Sequence, residues 1–153
     1  DVPPRRRACE ALAGIGAPAR ASAPLLTAAL RASLSKGGEY PETEFRIAAC
    51  KALAAVAPND PDTVRVLIES LEDRQNVYGA TDALRTVGPA AVPALRKALA
   101  DKDPNVAAGA VTALKYFGPD AAPAVPDLID LLRNSPSEQT SDALAWVGAP
   151  AAE

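Results

Sequence analysis

The chain has 153 residues, a net charge of −3 and a charged fraction of 23%, the profile of an ordinary soluble surface with no demand for nucleic acid. It contains no histidine, which removes imidazole acid–base catalysis, Ser-His-Asp and Cys-His arrangements and every metal site that needs imidazole. Thirty-five residues are Ala and only 4% are aromatic, so any core is thin and built for close helix approach.

In chain order the predicted elements fall into one repeating frame. Leu12, Leu53, Leu84, Leu114 and Leu144 are each preceded by Ala. Each is followed three residues later by an apolar side chain (Ile15, Val56, Val87, Phe117, Val147) and four later by a small one (Gly16, Ala57, Gly88, Gly118, Gly148). The first unit opens on Arg5-Arg6-Arg7, closes its first helix near Gly16 and continues into a second helix carrying Pro24, Leu26 and Leu30. An insertion over 33–43, with the run Ser-Lys-Gly-Gly-Glu-Tyr-Pro, reads as a loop and lengthens the first step between anchors. The second unit runs through Leu53 to a helix holding Arg65, Leu67 and Leu71. The third has Leu84, Gly88, then Pro93, Leu95 and Leu99, with three residues fewer between Gly and Pro than units one and four.

The fourth unit is the clearest. Asp103-Pro104-Asn105-Val106 opens an amphipathic helix whose Ala110, Val111, Ala113, Leu114 and Phe117 share one side, with Thr112 and Lys115 on the other. Gly118 can take the positive φ that closes a helix, Pro119 forbids continuation, and Pro126 fits the first turn of the next helix. The spacing predicts an all-α, right-handed α-solenoid of stacked antiparallel helix pairs. About four and a half repeats are expected, near 4–32, 44–73, 74–102, 103–134 and a partial 136–153.

These helix–turn–helix units resemble the HEAT repeat family, and specifically the short HEAT-like repeats of the phycobilisome lyase type, a bacterial-type group. The matching stretches are Arg46-Ile47-Ala48-Ala49-Cys50-Lys51-Ala52-Leu53, Gly88-Pro89-Ala90-Ala91-Val92-Pro93-Ala94-Leu95 and Asp103-Pro104-Asn105-Val106. The family opens its repeats with Asp-Pro-x-Val-Arg; Arg5 and Arg46 occupy its Arg position, and Ala107 replaces it in unit four. The resemblance implies that this Arg ties neighbouring repeats together and that the second helices line a concave face. It also implies a binding scaffold serving protein partners rather than one chemistry.

Motifs for chemistry are lacking. Lys36-Gly37-Gly38 does not have P-loop spacing, and Cys9 and Cys50, three residues before their anchors in separate repeats, cannot make a zinc site. The same placement sets them about one interhelical distance apart, wider than a disulfide accepts, so they read as small buried thiols without a bridge. Asp127 and Asp130, three apart on one helix, read as a solvated face. No catalytic residue, cofactor or metal is expected, and the chain reads as a non-enzyme. No apolar run approaches the ~18–20 residues that span a bilayer, no signal peptide is visible, and two unpaired cysteines point toward the cytoplasm. A chain that starts with Asp and contains no Met reads as a piece of a longer protein.

A DNA-gripping groove needs aligned Lys and Arg, since neutralising phosphates supplies most of the affinity. The outward columns of the second helices read Thr27, Ile68, Arg96, Ile129 and Ala28, Glu69, Lys97, Asp130, basic only in the third unit, which makes nucleic acid an unlikely partner. The leading reading is a face that docks a protein or peptide through Arg65, Ile68, Glu69, Arg96, Lys97, Ile129, Asp130 and Arg133. The sign alternation of Glu69, Lys97 and Asp130 is also what a ladder of surface ion pairs would give. Rival readings are an accessory subunit resembling pigment lyases and, weaker, a nucleic-acid-binding solenoid. Arg5-Arg6-Arg7 forms a second candidate contact for an acidic partner. At the C-terminal end Leu144 and Val147 are expected to expose apolar surface. Tyr116 and Trp146, both two residues past an anchor, are expected side by side on the outer face, with further repeats or another subunit covering that end.

Overall fold

The computed structural model describes residues 3–35 and 42–148. Among these the chain forms nine α-helices and no strand: α1 (Pro4–Ile15), α2 (Ala23–Leu34), α3 (Glu42–Val56), α4 (Pro61–Glu69), α5 (Val77–Val87), α6 (Val92–Ala98), α7 (Pro104–Phe117), α8 (Val125–Asn134) and α9 (Glu138–Val147). The architecture is an all-α solenoid of stacked helix pairs. The odd-numbered helices α1, α3, α5, α7 and α9 pack neighbour to neighbour in one layer, and α2, α4 and α6 do so in the other. Each second helix also leans on the first helix of the following unit, α2 on α3, α4 on α5, α6 on α7 and α8 on α9. Helices of 7–15 residues are marginal alone in water, so this neighbour packing stabilises them.

Local sequence sets the boundaries. Asp60, Asp103 and Ser137 cap α4, α7 and α9 by accepting backbone N–H groups of Thr63 (3.0 Å), Asn105 (2.8 Å) and Thr140 (3.1 Å). Gly88 and Gly118 close α5 and α7 at φ 87° and 56°, the left-handed side that a Cβ disfavours. Gly148, at φ −86°, ends α9 without that conformation. The connections are not plain turns: 3-10 stretches occupy Ala17–Ser22, Pro89–Ala91 and Gly118–Ala124. The three residues missing from unit three shorten this link, and the helix after it keeps its register.

The Leu anchors are the core. Leu53, Leu84 and Leu114 are fully buried, as are Leu30, Leu67, Leu95 and Leu128 from the other layer. Leu12 is only partly buried, because α1 has a neighbour on one side alone within the described chain. The expected loop over 33–43 is narrower than its sequence suggested: Ser33 and Leu34 end α2 and Glu42 and Thr43 begin α3, while 36–41 lie outside the described residues, as do 149–153 of the partial fifth repeat. Cys9 and Cys50 are both buried and free.

Candidate functional site

The second-helix layer presents its outer stripe as a row of clefts. On α4 the inward stripe is Thr63, Val66 and Leu67, all buried, which leaves Val64 and Ile68 half-covered and Arg65 exposed on the flank facing α6. On α6 the core takes Val92, Leu95 and Ala98, leaving Ala94 at the flank and Lys97 in solvent. Between these flanks lies a cleft of about 700 Å³. Its floor is Val64, Ile68, Ala94 and Ala98, and Arg65, Glu69, Lys97 and Asp101 stand at its rim. The opening follows from side-chain size: Ala94 and Ala98 stand where α8 has Asp127 and Leu131, so α6 does not fill the space beside α4. Between α6 and α8 the cleft shrinks to about 330 Å³.

The structure therefore separates the eight predicted contact residues. Arg65, Ile68, Glu69 and Lys97 line the α4–α6 cleft, and Arg96 and Asp130 line the smaller α6–α8 one. Ile129 is 36% exposed, and it and Arg133 lie outside both linings. Thr27, expected to point outward, is buried at 7%, because α2 is covered by α3 and α4.

The ion pairs run differently from the predicted Glu69–Lys97–Asp130 ladder. Arg31 of α2 grips Glu69 with two hydrogen bonds, 2.8 and 3.1 Å, and the carboxylate in turn raises the pKa of that guanidinium. Arg96 reaches Asp127 on α8 at 2.5 Å. Asp130 takes Arg133 on its own helix at 3.4 Å, so partners lie one column over or one turn along from the expected ones.

The Arg5-Arg6-Arg7 run is likewise engaged within the chain. Arg5 pairs with Glu42 at 3.0 Å and lies over the Phe45 ring at 3.9 Å, and Arg6 pairs with Glu10 and Glu44. This charge is answered on α1 and α3, which corrects its reading as a waiting contact for an acidic partner. At the C-terminal end Val147 is 2% exposed and Leu144 only partly so, because α9 folds onto α7, α8 and the 3-10 stretch before α8. The expected apolar end is thus largely covered by the chain itself. Tyr116 forms an edge-to-face pair with Tyr78, ring centres 6.4 Å apart, in place of the expected neighbour Trp146, which is 61% exposed. Tyr78 lies six residues before its anchor, outside the repeated positions, so the frame gave no signal for it.

Among the described residues no group of three or more His, Cys, Asp or Glu is placed to hold a metal ion, and no helix is long and apolar enough to cross a membrane. The family model for HEAT repeats matches residues 76–149. That stretch, 74 of the 153 residues, is similar to HEAT repeats, which are generally protein-interaction scaffolds. Comparison with curated proteins gave no match, and neither did comparison with solved structures.

Proposed function

We propose that this chain is a non-catalytic interaction module that holds a protein or peptide segment in the α4–α6 cleft, on the side of the solenoid formed by the second helices. One observation carries this reading: the cleft of about 700 Å³ joins an apolar floor to four charged rim residues in one concave place. Apolar walls with a few convergent polar groups are the usual make-up of a recognition site. Ile68 and Val64 are left half-covered there, where a partner's apolar side chain would complete their burial. Arg96, Ile129, Asp130 and Arg133 extend the same surface toward α8 as a more polar rim.

The test is capture from the native source with the wild-type chain and with Ile68→Asp side by side. A protein retained by the first and lost by the second supports the reading. Equal retention by both removes the cleft from the function, and retention of pigment-bearing proteins would favour the accessory-lyase alternative.

A further inference from the structure

We propose that the first-helix layer pairs with a second copy of this chain across a two-fold axis at α5, with Asp82 of each copy on Arg85 of the other. The proposal stands apart from the α4–α6 cleft, which lies in the second-helix layer. The aromatic residues locate the surface. Phe45 and Phe117 are buried, whereas Tyr78, Tyr116 and Trp146 are 67%, 48% and 61% exposed on α5, α7 and α9, three neighbours of one layer. Tyr and Trp gathered on an outer layer, with Arg beside them, are the composition of a protein interface.

Charge selects the occupant. Tyr78, Asp82 and Arg85 are spaced four and three apart and so form one stripe of α5. With Thr81 and Tyr116 they line a shallow cleft of about 190 Å³. Asp82 and Arg85 are exposed, and neither side chain has an ion-pair or hydrogen-bond partner among the described residues. Lys115 and Asp142, on α7 and α9, already meet each other at 3.0 Å, and Lys51 and Arg74 lie outside this cleft. The open charges of the cleft are therefore one of each sign, which favours neither an acidic nor a basic partner. They do match a copy of themselves. Antiparallel contact of α5 with α5 of a second copy sets Asp82 opposite Arg85, and the symmetry makes the same pair twice. A standard interface buries ~800 Å² on each side; this patch is smaller, so the expected Kd is on the order of 100 µM.

Sedimentation equilibrium of the full chain, from about 10 µM to about 1 mM, reads the pairing. Wild type is expected to pass from monomer to dimer over that range. Asp82→Arg and Arg85→Asp each set like charges opposite one another, and each is expected to weaken self-association about tenfold. An equimolar mixture of the two variants restores opposite charges at both contacts and is expected to associate as wild type does. Ile68→Asp, in the other layer, is expected to leave the dimer unchanged. Circular dichroism checks that each variant folds. A wild-type chain that stays monomeric throughout, or variants that self-associate as wild type does, overturn the proposal. A mixture that associates no better than its components does the same. So does a dimer lost on Ile68→Asp, which would put the second copy in the α4–α6 cleft instead.

Discussion

Arg46 and Asp73 lie 2.6 Å apart, with Arg46 only 1% exposed. The same guanidinium donates to the Ser33 hydroxyl at 3.0 Å and to the Ser33 carbonyl oxygen. One side chain of α3 thus joins the end of α2 to the loop before α5 and bridges two repeats. Removing one partner of such a buried pair strands the other, at about 3–5 kcal/mol. Arg46→Ala should lower stability by that amount in urea unfolding, and Arg46→Lys should recover only part, since an ammonium lacks the fork that reaches Ser33 and Asp73 together. A loss within 0.5 kcal/mol for Arg46→Ala would show that the bridge does not stabilise the stack.

Two glycines should respond in opposite directions to Ala. A Cβ on Gly109 would stand 2.5 Å from Leu71 Cβ and 2.9 Å from the Leu71 carbonyl oxygen, so α7 could not keep its distance from the 3-10 turn Ser70–Glu72 that follows α4. Gly109→Ala should destabilise by about 1–3 kcal/mol. Gly14, within α1, has nothing within 4 Å of the added methyl, and Gly14→Ala should gain up to about 1 kcal/mol of helix propensity. Thermal melts of the two variants read both signs.

Leu114→Ala, at a fully buried anchor, should cost about 2–5 kcal/mol. Leu12→Ala should cost less, because that anchor is only partly covered. Equal losses at the two positions would contradict the graded burial along the stack.

Burial pushes the Cys50 thiol up from 9.0 to about 11. An unfolded chain releases this proton first, so between pH 9 and pH 11 the unfolded state binds fewer protons and stability falls as pH rises. Below pH 9 the contribution is fully present. Wild type should lose stability across that window, on the order of 2 kcal/mol, relative to Cys50→Ala measured at the same pH values. At pH 8 the native thiol should resist alkylation and react once the chain is unfolded.

The stack was legible because its signals are local and repeated. Leu anchors at a common position, Gly88 and Gly118 at helix ends and proline in first turns each impose a constraint within a few residues. What stayed hidden depends on distance in space without a fixed spacing in sequence. Arg5 meets Glu42 and Phe45 across the insertion, Arg31 meets Glu69 rather than Lys97 closing a ladder, and Tyr78 meets Tyr116 from eight positions off register. The column pattern of the second helices set Ile68 beside Arg96 and Glu69 beside Lys97, whereas one cleft is lined by Ile68, Glu69 and Lys97 and the next by Arg96. That pattern could not show that Ala94 and Ala98 are small enough to open a cleft beside α4, because that is a property of two facing helices together. The family's Arg position is likewise empty in units three to five. There Lys115–Asp142 at 3.0 Å and Gln139 donating to the Ala108 carbonyl link α7 to α9 instead.

The central claim is that a partner sits in the α4–α6 cleft, and site-specific photocrosslinking tests it most directly. A benzophenone side chain placed at Ala94, on the cleft wall, is compared in the native source with one placed at Arg85 on the first-helix layer. The account predicts a discrete adduct to another protein from position 94, lost when Ile68→Asp is added, and none from position 85. An adduct to another protein from position 85 with none from position 94 would contradict it.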